Sequence, residues 1–262
     1  MHRGIKLRHL MRFKLTIAYD GRAFHGWQSQ PNGRGVQQTI QKTVNDIAKG
    51  ANVRVHGAGR TDQGVHATGQ VAHFDAPEGL AMDAGAWFRA LNKNLPHEVR
   101  IMKCELAGDD FNAQFDAVGK HYEYRICRLP ALPPLEWGLA WHVPWKLDLA
   151  RLEQACEQLI GNHDFASFSA NRRDGRESIP GFSQRQISSI KLVEHDGMLS
   201  LHFHGNSFLY KMVRILTGTV IKVGLGRCPL TWLQSLLKSP GVEKSQFVAP
   251  AGGLYLREVF YP

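Results

Sequence analysis

The chain has 262 residues, with 32 Lys plus Arg against 23 Asp plus Glu and a formal charge of +9. That length buries a real core in one large or two modest domains, and 43% apolar with 21% charged residues excludes a disordered or fibrous chain. The basic surplus favours a polyanionic partner such as nucleic acid.

Residues 1–10 carry His2, Arg3, Lys6, Arg8 and His9 without an apolar run. They read as a disordered basic extension and lack the apolar stretch of a signal peptide. No segment has the length of a membrane span, so no membrane partner is expected. Cys104, Cys127, Cys156 and Cys228 lie far apart and form no CxxC pair. The expectation is reduced thiols in a cytoplasmic protein, with no metal.

Arg12–Tyr19 alternates as a strand, and Asp20-Gly21 turns the chain. Val36, Ile40, Val44 and Ile47 recur at helical spacing over residues 36–49, and Gly50 suits the end of that helix. Short strands are expected at 53–56 and 70–75. Asp83 can cap a helix that buries Trp87, Phe88 and Leu91 and stops at Leu95-Pro96. A strand follows at 99–106. The next strand spans 121–128, and a proline-rich crossover covers 129–134. Asp148 caps a helix with Leu152, Cys156 and Leu159 inward, ending at Gly161. Strands 185–194 and 198–206 form a hairpin turning at Asp196-Gly197. A helix is predicted over 207–223 and a final strand over 253–261.

Each half thus reads strand–helix–strand–strand–helix–strand, the ferredoxin-like split βαβ order. The predicted class is α+β: two βαββαβ halves, 11–115 and 116–262, joined in an extended antiparallel sheet with helices on one face. The repeat is one of element order, not of residues.

The most unusual stretch is HGAGRTDQGVHATGQVAHFD, His56–Asp75. Its four glycines, Gly57, Gly59, Gly64 and Gly69, permit backbone conformations and close approaches closed to other residues. Between them stand Arg60, Thr61 and Asp62. A dinucleotide-binding turn is excluded, because the third glycine of GxGxxG is replaced by Asp62 and the loop leads into a strand. The phosphate-loop, HExxH and GxSxG patterns are absent. Taken alone, Asp62 could simply cap a turn.

The string GAGRTDQGVHATGQVAHF closely resembles the catalytic segment of TruA-type tRNA pseudouridine synthases. The resemblance continues through YDGRAFHGWQSQP (Tyr19–Pro31), VQQTI (Val36–Ile40), NLP (Asn94–Pro96), DDFNAQFDA (Asp109–Ala117) and KHYEYRI (Lys120–Ile126). It extends to GNHDFASF (Gly161–Phe168), NSFLYKMVRILTGTV (Asn206–Val220) and GLYL (Gly253–Leu256). It implies the pseudouridine synthase fold, an isomerase without cofactor, and uridines 38, 39 and 40 of the tRNA anticodon stem-loop as substrate. A homodimer holding one tRNA across both subunits is also implied.

The resemblance assigns the essential carboxylate to Asp62 and its ion-pair partner to Arg214, expected to share a helix side with Tyr210 and Lys211. Tyr122 becomes the residue that stacks on the base and relays its proton. Tyr124 has the same strand parity and competes for the role. Leu254 is expected under the base, and Arg60 in the space left by a flipped uridine or on a phosphate. Lys211 completes the substrate-binding set. Arg22, Arg34, Arg54, Arg172, Arg173, Arg176 and Arg185 are candidate phosphate contacts.

His66, His73, His202 and His204 show no metal-ligand spacing. Two other readings compete: a non-catalytic RNA-binding protein on the same fold, and an aspartate-dependent hydrolase of nucleosides or phosphoesters. Asp62 opposes the first, because a binding protein gains nothing from a carboxylate aimed at a polyanion. The second lacks a carboxylate cluster, having only the scattered Asp75, Asp109 and Asp110.

Overall fold

The computed structural model describes residues 11–28, 33–171, 175 and 178–262. The basic extension, Arg172, Arg173 and Arg176 lie outside them. The first half comprises β1 (Arg12–Tyr19), α1 (Val36–Ile47), β2 (Val55–Gly57), β3 (His66–Asp75), α2 (Ala84–Asn94) and β4 (Val99–Ala107). The second half comprises β5 (Gly119–Cys127), β6 (Trp141–His142), α3 (Leu149–Glu157), β7 (Gly161–Asp164), β8 (Gln184–His195) and β9 (Met198–Gly205). It ends with α4 (Met212–Gly224), α5 (Leu230–Lys238) and β10 (Leu254–Phe260).

The strands form one sheet in the order β4-β1-β3-β10-β5-β9-β8-β7, with β2 on β3 and β6 on β5. Within it, β4-β1-β3-β2 and β10-β5-β9-β8 each repeat the split βαβ order, as the sequence predicts. Pairing is antiparallel except for β3 with β10 and β5 with β6. The β3–β10 contact joins the halves, and Tyr255 and Leu256 of β10 lie opposite His66 and Ala67. Residues before and after this seam build the pocket described below.

In β1, Phe13, Leu15, Ile17 and Tyr19 are buried, and the alternate residues are partly exposed. That strict period of two comes from a strand with one face on the core. Trp87 of α2 packs against Phe13 and Phe74 with ring centroids 6.2 and 4.9 Å away. Asp83 caps α2, its carboxylate accepting from Ala86 N–H at 2.6 Å. In the β8–β9 hairpin, Asp196 and Gly197 both take positive φ, the geometry that suits the twist of a two-residue turn.

Four expectations need correction. Phe88 is 37% exposed, because it stands about 100° round the helix from Trp87 and about 60° from Leu91, off the centre of the buried stripe. Strand β3 starts at His66 rather than 70, since β10 pairs with its first residues. Helix α4 starts at Met212 rather than 207, because Lys211 adopts the left-handed conformation at φ 59° and no helix passes through it. Helix α5 and the short strands β6 and β7 are additions to the predicted set.

His73 supplies one test of this packing. It is buried, its Nδ1 accepts from Ala113 N–H at 3.1 Å, and its ring stacks on His56. Burial first, then the neighbouring Arg12, brings its pKa down to about 4. The unfolded chain therefore binds this proton more tightly than the folded one, and stability falls as pH drops from about 6.5 towards 4. Thermal melting should show a loss on the order of 1–2 kcal/mol at pH 5 relative to pH 7. His73→Asn, which keeps an acceptor but cannot be protonated, should remove the His73 share of that slope and leave the share of His121, which burial also brings down to about 4.

Candidate active site

The loop from Ala58 to Val65 connects β2 to β3, and bonds from both halves hold it. Ala58 N–H donates to Val71 O at 2.8 Å, and Trp27 N–H donates to Thr61 O at 3.1 Å. Gln70 Nε2 donates to Gly59 O at 3.0 Å, and the buried hydroxyls of Tyr19 and Thr61 are 2.8 Å apart. Burial raises the Tyr19 pKa, so this hydroxyl stays protonated. Gly57 lies under the Trp27 indole, and a Cβ there would come within 2.4 Å of the ring. Any side chain at 57 would displace Trp27 and, with it, the anchor of Thr61.

So held, Asp62 faces Arg214 of α4, whose Nη1 donates to Asp62 Oδ2 at 3.0 Å. Arg214 Nε donates to Ala249 O at 2.8 Å, fixing the guanidinium from the other side. Their side chains are 17% and 14% exposed, so this is a mostly buried ion pair open to the pocket. Around it is a cavity of about 490 Å³, within the size range of small-molecule sites. Asp62 is the one carboxylate among the described residues that line it.

Tyr122, Leu254, Arg60 and Lys211 also line this cavity, so the structure gathers all six sequence-assigned residues at one place except that Arg214 contributes from behind Asp62. Tyr122 is buried on β5, edge-to-face with Phe208 at 5.2 Å. Tyr124 lies deeper, fully buried, with its hydroxyl donating to Pro250 O at 2.7 Å. The parity shared by the two tyrosines is thus resolved in favour of Tyr122 as the pocket residue. Leu254 is buried, whereas Arg60 is exposed at the rim.

Tyr210 and Lys211 precede α4 instead of sharing its side with Arg214, with Lys211 Nζ 5.2 Å from the Tyr210 ring centroid. The left-handed backbone of Lys211 is unusual for a non-glycine residue and turns the Ser207–Lys211 segment across the pocket mouth.

Several lining residues were not singled out in the sequence, among them Trp27, Lys120 and Phe208. Each of these three stands inside a segment that carries the family resemblance, but nothing in strand or helix spacing distinguishes it from core or surface. Among the wider arginine set, Arg22 is paired with Asp20 and Arg34 with Glu98. Asp75 is paired with Arg12 at 2.7 Å and does not line the cavity. Among the described residues, no three His, Cys, Asp or Glu side chains could hold a metal ion, and no helix is long and apolar enough to cross a membrane.

Comparison with known proteins bears on the same residues. A family model described as tRNA pseudouridine synthase matches residues 15–116 and 155–262, spanning the Asp62 loop, α4 and β10. A protein of Akkermansia muciniphila named tRNA pseudouridine synthase A is 43% identical over 97% of this chain and 96% of its own length. Proteins of the same name from Listeria innocua and Latilactobacillus sakei are 42% and 40% identical. These alignments cover 96% and 95% of this chain and 100% and 98% of the relatives.

Proposed function

Because the chain belongs to the tRNA pseudouridine synthase family, we propose that it converts uridine to pseudouridine at positions 38, 39 and 40 of the tRNA anticodon stem-loop. The family is one of isomerases, and the chain is an enzyme of that class. The observation that carries the finer reading is the Asp62–Arg214 ion pair in a pocket walled by Tyr122 and Leu254.

The reaction breaks the bond from ribose C1′ to uracil N1, forms one from C1′ to C5, and moves a proton from C5 to N1. Nothing is oxidised or reduced, so the residues must expose and hold the base, assist the exchange of the C1′–N1 bond for C1′–C5, and move the C5 proton to N1. Arg214, held from behind by Ala249 O, fixes a positive charge beside the Asp62 carboxylate. Asp62 then acts as the essential carboxylate, by attack or by assisting proton transfer at the sugar. Tyr122 stacks on the flipped base and relays its proton, and Leu254 packs beneath it. Arg60 at the rim takes the vacated space or a phosphate, and Lys211 contacts the substrate at the mouth.

The cleft is assigned to the junction of residues 11–115 with 116–262. The homodimer and the cytoplasmic location belong to the same proposal. The four free cysteines suit a reducing compartment, and light scattering of the purified protein checks the dimer.

The direct test is incubation of the purified protein with unmodified tRNA bearing uridine at the lower anticodon stem, followed by chemical mapping of pseudouridine. Product confined to positions 38–40 is expected. Tight binding without product favours the RNA-binding reading, and product elsewhere in the tRNA rejects the anticodon assignment.

A further inference from the structure

Most of the partly buried arginines whose guanidinium is fixed have a carboxylate beside them, although Arg100 is held by the carbonyls of Leu95, Pro96 and Val99 instead. Arg12 meets Asp75, Arg125 and Arg257 meet Glu123, Arg128 meets Glu194, and Arg214 meets Asp62. Lys120 and Arg185 depart from this pattern.

Lys120 is on β5 two residues before Tyr122, on the same strand face, and lines the pocket. Its Nζ donates to Ala58 O at 3.1 Å, at the root of the Asp62 loop. Gly59 permits that approach, since a Cβ there would stand 2.6 Å from the ammonium nitrogen. An ammonium has three protons to donate, and this bond uses one.

Arg185 is the second residue of β8, and the register brings it near. Lys120 pairs with Gly205 of β9, Gly205 pairs with Ile187, and Arg185 has the strand parity of Ile187. Arg185 Nη1 donates to Phe182 O and Gln184 O at 2.7 and 2.6 Å. Its Nε is buried without an acceptor among the described residues. Burial lowers the pKa of both groups, and Arg185 lowers that of Lys120 further; among the described residues, no carboxylate opposes either shift. Enclosing two neighbouring cations without a counter-charge is unfavourable, and an anion arriving between them relieves it.

We propose that Lys120 and Arg185 form an anion-binding pair at the edge of the active-site pocket, completed by a phosphodiester of the bound RNA. The proposal rests on the reading of the pocket as a uridine site, because a nucleotide seated there brings its flanking phosphates to the pocket edge. The same Lys120 reaches the carbonyl that starts the Asp62 loop, so phosphate capture and loop placement share one side chain.

The test uses an anticodon stem-loop RNA, titrated over a chloride series with wild type, Lys120→Met, Arg185→Met and Lys120→Arg. Each phosphate contact contributes about 0.7 to 0.9 to the slope of log affinity against log salt. Each Met variant should lose about one such increment, whereas Lys120→Arg should keep it. Without RNA, the Met variants should melt no lower than wild type, because a repulsion has been removed. Unchanged slopes in both Met variants would overturn the pair. A lowered melting point in Lys120→Met with an unchanged slope in Arg185→Met would also overturn it, reducing Lys120 to a loop support. Inorganic pyrophosphate is the control: protection of wild type by it, with unaltered RNA slopes in the variants, would exclude the RNA phosphodiester as occupant. Loss of slope together with no pseudouridine from wild type would leave the pair standing and reject the isomerase substrate reading instead.

Discussion

Replacing Asp62 by Ala or Asn lowers kcat by on the order of 10⁴-fold or more, the scale on which enzymes lose a group that reacts covalently or moves the essential proton. RNA affinity should hold or improve in the same proteins. Asp62 is the one carboxylate among the described residues lining a cavity that also contains Arg60, Lys120 and Lys211. Towards a polyanion its charge is repulsive, and its removal frees the Arg214 guanidinium to attract phosphate. Asp62→Asn is the sharper variant: it keeps the size and an oxygen for Arg214 Nη1 while removing the negative charge. Single-turnover formation of pseudouridine, with binding measured on the same RNA, separates the two effects. Turnover by Asp62→Asn within tenfold of wild type would remove Asp62 from the chemistry. Loss of binding equal to the loss of turnover would make it a structural residue of the loop.

Much of the frame needed for this argument is legible in the chain, because the signals are local. Strand β1 has its predicted limits, since four alternate apolar side chains meet one core face. Asp83 caps its helix because a short carboxylate reaches the free N–H groups of the first turn. Local signals fail where distant segments decide the outcome. His66–Gly69 looks like loop, with a threonine and a glycine, yet it is strand. There Gly69 faces the backbone of β10, and a Cβ would stand 2.1 Å from Arg257 O. Likewise the apolar run Ser207–Lys211 leads smoothly into α4 on paper, but the left-handed Lys211 breaks it at the pocket mouth. Helix α5 has a readable start in Pro229 and an apolar spacing of Leu233 and Leu236, but the predicted elements pass directly from 207–223 to 253–261.

The candidate site divides in the same way. Asp62 and Arg214 are assigned through the family resemblance of their segments, since Asp62 taken alone could simply cap a turn. Lys120 has no such assignment. In sequence it is one more strand lysine, and its meaning depends on the Ala58 carbonyl 62 positions away and on Arg185 two strands across.

Arg214→Met is expected to lower kcat by about 10² to 10³-fold, the range for removing one charged partner from a catalytic group. It should also destabilise the fold by about 3 kcal/mol, the lower part of the range for orphaning one member of a buried ion pair. The low exposure of both side chains places the pair in that regime rather than among surface pairs. Lysine should not substitute. Arg214 spans two acceptors with two different nitrogens, Nε to Ala249 O and Nη1 to Asp62 Oδ2, and a single ammonium cannot reproduce that fork. Arg214→Lys should therefore recover part of the stability and little of the rate. Combining Asp62→Asn with Arg214→Met closes the cycle, because the buried carboxylate left unpaired by the second change is absent from the double variant. Urea denaturation should then find the double variant more stable than Arg214→Met alone, although it is inactive. If the two changes are instead additive in stability, the ion pair does not hold α4 to the Asp62 loop. The rate loss in Arg214→Met would then have to come from contact with the substrate rather than from the placement of Asp62.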